Sequence, residues 1–353
     1  MTLHIGIIGC GKQAEKHIMG LRANGVENIT VADISAEAAK KLGQCMGVET
    51  AVSVEALMAS ETIGAVDICT PTPSHTPLIL QAIAQGKHYL VEKPLATDLA
   101  EARAISDATK QARLVGMVGF TYRFAPALVA IKAVIDGGDL GPILSSTLRI
   151  GGRGSHAAWK HQTAMGGGAI REMLVHMIDL AVWYYGPIET VQVLACEQHY
   201  PRRTIGGKTI PVDAEDYVHV KLVSKAGQVI TVLSDFTTPC FVQFAEVEGA
   251  GGMAFGSIQP QFTPFVWKSA DGENYPAGKT ELVMETRNIV ADLTGNFLSA
   301  VKGKSPPRCS LADAVEVQRV LGLVIAQSQC RAKSNQTGGQ REYSEQEFIA
   351  ARG

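Results

Sequence analysis

Over the first 122 residues, apolar positions follow two alternating rhythms. Short β-rich apolar runs at 4–10, 28–34, 65–71, 88–93 and 114–120 are separated by stretches at 13–23, 35–47, 53–60, 76–86 and 98–112, where apolar residues recur at helical spacing. Ser35 is the expected N-cap of the second helix, a glycine closes the one over 76–86, and prolines stop two of the strands. Apolar strands interleaved with helices predict a doubly wound parallel sheet of the α/β class.

After Arg123 the rhythm changes. One helix is expected at 126–137, followed by longer strands at 142–150, 189–198, 216–224, 228–236 and 241–249. Within them HVKLV and QVITVL alternate polar and apolar positions, as half-exposed antiparallel strands do. Helical patterns return at 285–302 and 311–330, and the tail QTGGQREYSEQEF reads as a polar surface segment. The pattern predicts two domains. Residues 1–122 form the doubly wound domain; residues 123–353 form an α+β domain on a large open, mostly antiparallel sheet.

Composition narrows the function. The 353 residues are 46% hydrophobic and 19% charged, a globular profile with enough chain for two cores. A net charge of −2 gives no global reason to expect a nucleic acid or a membrane surface as partner. No apolar run approaches the length that spans a bilayer. The opening MTLHIGIIGCG has no basic leader and enters a strand and a glycine turn at once, so a cytoplasmic protein is expected. The 7 cysteines are scattered with no CxxC pair, which predicts neither a zinc cage nor a disulfide framework.

GIIGCGKQAEKH follows the first strand. Gly9 and Gly11 take the first two places of a GxGxxG turn and Ala14 the third, with Lys12 and Gln13 between them. The first glycine permits the tight turn, the second admits a pyrophosphate to the backbone, and the third lets helix pack on strand. The helix N-terminus then faces the anion. Alone, GxGxxA fits an ordinary glycine turn equally well. Its place between strand and helix, and Asp33 at the end of the second strand, where an acid grips the ribose hydroxyls, favour a dinucleotide. Asp33 would repel a 2′-phosphate, so NAD is the expected cofactor.

Three further segments carry a family resemblance: DICTPTPSHTPLILQAIAQGKHYLVEKPLATDLAEA (67–102), GFTYRFAPAL (119–128) and GGGAIREMLVHMIDL (166–180). Together they resemble the Gfo/Idh/MocA oxidoreductases, the family of glucose–fructose oxidoreductase and inositol dehydrogenase. The resemblance implies reversible hydride transfer between nicotinamide and a ring secondary alcohol of a sugar or cyclitol. It implies that Thr70, Pro71, His75, Glu92 and Lys93 join the cofactor site. Lys93 would lie between nicotinamide and substrate, His176 would accept the proton, and Arg123, Trp159, Lys160 and Glu172 would line the substrate site. A homodimer or homotetramer is expected by the same resemblance.

The residue types suit those roles. A histidine titrates near neutrality and serves as base, and a lysine steadies a developing alkoxide. Glu172 lies four residues before His176, on the same face of a regular helix, and is expected to orient it. The family pattern has aspartate there, so the longer acid is equally placed to hold a substrate hydroxyl. The glycines at 166–168 are expected to leave room for a ligand. A metal on Glu172 and His176 would need a third ligand at short spacing, and none appears.

Between Asp139 and Glu172 there is no acidic residue, while Arg149, Arg153, His156, Lys160, His161 and Arg171 cluster there. This basic stretch, with Arg202 and Arg203 later, fits an anionic or nucleotide-linked substrate, or else a solvated loop. Two other readings remain open at this point. One is a non-catalytic NAD-binding regulator on the same fold. The other is a reductase of a C=N or C=C bond.

Overall fold

The computed structural model describes residues 3–153 and 157–335; His156 and the polar tail after 335 lie outside the described residues. The chain divides into two compact units. One holds Met1–Ala125 and Thr286–Gln318; the other holds Pro126–Glu285 and the chain from Arg319.

In the first unit the order is β1 (Ile5–Ile8), α1 (Lys12–Ala23), β2 (Ile29–Ala32), α2 (Ala36–Met46), β3 (Glu49–Thr50), α3 (Val54–Ala59), β4 (Ala65–Ile68), α4 (His75–Ala84), β5 (His88–Val91), α5 (Leu99–Ala112) and β6 (Gly116–Val118). The six strands form one parallel sheet in the order β3-β2-β1-β4-β5-β6. This is the doubly wound order, and the crevice where it reverses lies outside the ends of β1 and β4. Strands β1, β2 and β4 are buried at every position, which is why the sequence shows continuous apolar runs there. Ser35 caps α2 as expected, its hydroxyl accepting from the Ala38 amide at 3.2 Å.

The second unit contains α6 (Pro126–Asp136), β7 (Ile143–Gly151), a π-helical turn at Ile170–Leu174, α7 (Val175–Tyr185), β8 (Ile188–Glu197), β9 (Arg202–Ile205), β10 (Lys208–Pro211), β11 (Tyr217–Ser224), β12 (Val229–Asp235), β13 (Val242–Gly249), β14 (Gly252–Gly256), β15 (Phe265–Lys268) and β16 (Gly278–Glu281). Eight of these strands form one sheet, ordered β16-β15-β14-β13-β7-β12-β11-β8. All neighbours are antiparallel except β7 and β12. The face carrying Leu148, Val218, Val220, Leu222, Ile230 and Val232 is buried, and α6 and α7 pack against the sheet. Each such side chain contributes about 1.5–3 kcal/mol when fully buried. Strands β9 and β10 form a separate hairpin turned by Gly206–Gly207.

The last helices are α8 (Ile289–Val301) and α9 (Leu311–Asn335). The sequence division after residue 122 lies close to the first unit boundary at Ala125, but it assigned 286–318 to the second domain. The structure groups that segment with the first unit. The reason is specific contact. Asn24 donates to the Ala291 carbonyl at 2.8 Å, and Gly20 approaches the Val290 backbone. An amphipathic period says that a helix has a buried face, not which core receives it. The start of α8 moves from 285 to Ile289 because the Asn288 side chain accepts from the amides of Val290 and Ala291.

Candidate functional site

At the end of β1, Gly9 has φ +93°, and a Cβ there would stand 2.8 Å from the backbone of Cys69, just past β4. Only glycine lets the chain turn so close to its neighbour. Gly11 is the N-cap of α1, with no side chain to cap the first amides and no atom within 4 Å of the place a Cβ would occupy. Lys12 is exposed, Gln13 half-buried, and Ala14 fully buried where the helix meets the sheet. Asp33 follows β2. One carboxylate oxygen accepts from the Cys10 amide at 2.8 Å and the other from the Ser35 amide at 2.8 Å. The acid is thereby fixed between the glycine turn and the start of α2. At the same sheet edge the buried Thr70 hydroxyl has no hydrogen-bond partner among the described residues, and Pro71 is exposed. An open helix start, an aimed acid and an unsatisfied hydroxyl fit a dinucleotide. The amides of α1 would hold the pyrophosphate and Asp33 the ribose.

The turn after β5 is held from both sides. Glu92 is buried; its Oε1 accepts from Gln13 at 3.0 Å and lies 3.2 Å from Nε2 of His17, and its Oε2 accepts from the Lys93 amide at 3.2 Å. Burial alone would raise the Glu92 pKa, but His17, the Lys93 charge and Gln13 outweigh it and bring it down to about 2. Lys93 itself is half-buried and precedes a cis peptide to Pro94. On the other side, His75 is buried, with one ring nitrogen 2.8 Å from the Pro94 carbonyl and the other 2.9 Å from that of Thr70. His75 was expected at the cofactor. Burial lowers the proton affinity of this ring, so its single N–H donates to one of these carbonyls while the ring stands between the two loops.

His17 and Asp67 were not singled out by the sequence. Their ring nitrogen and carboxylate lie 2.7 Å apart, both buried. An acid within the otherwise apolar strand AVDI was the available signal, since a buried carboxylate needs a partner. With Cys69 they bring three potential ligand atoms within 4.8 Å of one another. Two ligands on one tetrahedral zinc would stand about 3.4 Å apart, so the 2.7 Å contact is a hydrogen bond and not a metal pair. Burial pushes the Cys69 thiol up to about 12, so it stays protonated.

In the second unit the triple glycine leads into the π-helical turn. Gly168 has φ +109°, and a Cβ there would overlap the carboxylate of Glu215. Glu215 accepts from the Ile170 amide at 2.9 Å, its carbonyl accepts from Ala169 at 3.0 Å, and the Gly168 amide donates to Lys160 at 2.9 Å. The room expected here for a ligand is thus filled at Gly167 by the Lys160 backbone and at Gly168 by Glu215, while Gly166 keeps open space around it. The regular helix expected over this segment is also revised. Glu172 lies in the π-helical turn and the half-buried His176 in the first turn of α7. Such turns inside helices often mark functional sites. The Glu172 carboxylate lies 2.8 Å from the ammonium of Lys160, which also sits over the Trp159 ring at 5.4 Å.

The basic stretch looks different in three dimensions. Its acids come from elsewhere in the chain: Asp235 lies 3.5 Å from Arg149, Glu172 pairs with Lys160, and Asp216 lies 3.4 Å from Arg203. Burial raises the pKa of Glu215, while the Ile170 amide and the charge of Arg171 oppose that rise. His161 is buried with its ring edge-on to Phe236 at 5.3 Å. Arg123, expected at the substrate, is fully buried in the first unit. It pairs with Asp313 at 2.7 Å and donates to the Arg308 carbonyl at 2.9 Å, which makes it a scaffold residue. Among the described residues, no helix is long and apolar enough to cross a membrane.

Two family models match the chain. Residues 3–120 match the Gfo/Idh/MocA model described as an oxidoreductase family with an NAD-binding Rossmann fold, and residues 128–255 match the Gfo/Idh/MocA C-terminal domain. Inositol 2-dehydrogenase of Rhizobium meliloti is 30% identical over 86% of this chain and 89% of its own. Levoglucosan dehydrogenase of Pseudarthrobacter phenanthrenivorans is 29% identical over 55% of this chain and 54% of its own. Among solved structures, a levoglucosan dehydrogenase in complex with NADH and L-sorbose superposes with a TM-score of 0.84. It is 22% identical over 93% of this chain and 96% of that one.

Proposed function

The chain belongs to the Gfo/Idh/MocA oxidoreductase family, with an NAD-binding Rossmann domain, and from that premise we propose that it oxidises a ring secondary alcohol of an uncharged sugar or cyclitol. The observation that carries this reading is Lys93. It follows β5 at the carboxyl edge of the parallel sheet, with Glu92 before it 3.2 Å from buried His17 and the Pro94 carbonyl after it 2.8 Å from buried His75. Ligands of open α/β sheets bind at that edge.

NAD, held by the first amides of α1 and by Asp33, would supply the hydride acceptor for the carbinol carbon. The remaining work falls to side chains. His176 takes the hydroxyl proton as the carbonyl forms, and the Lys93 ammonium holds the same oxygen and offsets its growing negative charge. In the reverse direction His176 returns the proton. Glu172, tied to Lys160, holds the π-helical turn from which α7 and His176 continue. The choice of an uncharged substrate draws on three pairings of the second unit. Arg149, Lys160 and Arg203 each stand beside a carboxylate, which offsets the charge that these three would offer an anion. Self-association into a dimer or tetramer through the half-exposed face of the eight-stranded sheet completes the proposal, and light scattering tests it.

The site assignment is tested by Lys93→Met and His176→Gln. Each should lower kcat about a hundredfold or more while NADH affinity stays within about threefold. Near-full turnover in either variant contradicts the assignment.

A further inference from the structure

His17 lies on α1, away from the open end of the glycine turn, and is fully buried. Its two ring nitrogens stand near two carboxylates: Nδ1 is hydrogen-bonded to Asp67 at 2.7 Å, and Nε2 lies at ion-pair distance, 3.2 Å, from Glu92 without the alignment of a hydrogen bond. Carboxylates only accept hydrogen bonds, and a neutral imidazole has a single N–H. One imidazole between two carboxylates therefore requires a second proton in the cluster. Without it the interior would hold two negative charges beside a neutral ring. The other groups facing the cluster are the Cys69 thiol, which donates to Asp67 at 3.6 Å, the Gln13 amide, and Lys93. Lys16 reaches the Gln13 carbonyl oxygen at 2.8 Å.

We propose that His17 is a positioning residue: it bridges Asp67 and Glu92 as an imidazolium, fixes the Glu92 carboxylate, and through it holds the Lys93 backbone in place. The chain of contacts is continuous. Asp67 on β4 anchors the ring, the ring anchors Glu92 Oε1, and Glu92 Oε2 accepts from the Lys93 amide. Three elements (α1, β4 and the end of β5) thereby determine where one lysine starts. Burial lowers the proton affinity of His17, and the charge of Asp67 more than restores it, so the ring is held well above its ordinary range.

This inference rests on the catalytic reading of Lys93, so its test begins with a readout that needs no turnover. Nitrogen NMR of histidine-labelled protein should find both His17 ring nitrogens protonated at about pH 8, above the ordinary histidine range. A neutral tautomer there overturns the proposal. In His17→Gln the amide resonance of Lys93 should move while those of Ile5–Ile8 stay in place. Unmoved Lys93, or a general displacement of the sheet, overturns it. On a turned-over polyol, His17→Gln should lower kcat about tenfold or more with NADH affinity retained. The double variant His17→Gln/Glu92→Gln should be no slower than Glu92→Gln alone. Additive losses contradict action through Glu92. If His17→Gln does not fold, His17→Gln/Asp67→Asn removes the stranded carboxylate and carries the same readouts. Wild-type protein inactive on every polyol overturns the proposed function instead and leaves the NMR result to decide the role of His17.

Discussion

Lys160 and Glu172 form an ion pair at 2.8 Å, joining the 3-10 turn Ala158–His161 to the π-helical turn that precedes His176. The Glu172 side chain is only 10% exposed. A carboxylate so far out of water needs its cation, because breaking such a pair strands a charge. The pair therefore consumes the lysine that the sequence offered to an anionic substrate. It also gives the longer acid at this position a local reason to be there, reaching Lys160 from a widened helical turn.

Asp33 sets the choice of cofactor in this account. Both its oxygens are already oriented by backbone amides, so its charge sits at a fixed point beside the glycine turn. Asp33→Ala removes both the ribose acceptor and the repulsion of a 2′-phosphate. The preference for NAD over NADP, measured as the ratio of kcat/KM values, should fall about tenfold or more, a hydrogen bond to a charged group being worth about 1.5–3 kcal/mol. An unchanged ratio would assign the reading of the ribose to another residue.

Gly168→Ala should damage the second unit. Its φ of +109° disfavours any side chain, and the added methyl would collide with Glu215. We expect a loss of about 1–3 kcal/mol from the backbone alone, and more from the clash. Gly166 has φ +78° but open space around it, so Gly166→Ala should be the milder change. Thermal unfolding of the two variants gives the comparison; equal losses would mean that the Glu215 contact does not constrain the turn.

Glu92 predicts an acid-side dependence of stability. Its folded pKa of about 2 is below the ordinary 4.5. Ionised Glu92 therefore stabilises the fold above the ordinary value, and this contribution is lost as pH falls from there through the folded value. Glu92→Gln lacks the contribution. The gap in melting temperature between wild type and variant should be widest near neutrality and close as the solution is acidified. A gap that widens in acid would reverse the assigned sign.

Much of the fold was legible because the buried parallel strands and the alternating antiparallel ones carry different periods. Strand β3 has only two exposed residues, Glu49 and Thr50, and leaves no pattern. The hairpin β9–β10 was missed although Gly206–Gly207 marked its turn, because its strands are mostly exposed and lack an apolar face. Strands β14 to β16 are short, and loops interrupt them. At the site, glycine turn, Asp33 and the lysine after β5 could be read from local motifs. The pairing of Arg149 with Asp235, Arg203 with Asp216 and Arg123 with Asp313 could not, because the partners stand 86, 13 and 190 residues apart and no local motif links them.

The most direct test is NAD reduction, followed by absorbance, with two groups of candidates offered to the wild-type protein. One group holds neutral cyclitols, aldoses and anhydro-sugars; the other holds uronates, sugar phosphates and nucleotide sugars. Turnover is expected on at least one neutral compound, with no gain for its anionic counterpart. Turnover confined to the anionic group, or none on any compound while NADH still binds, would contradict it.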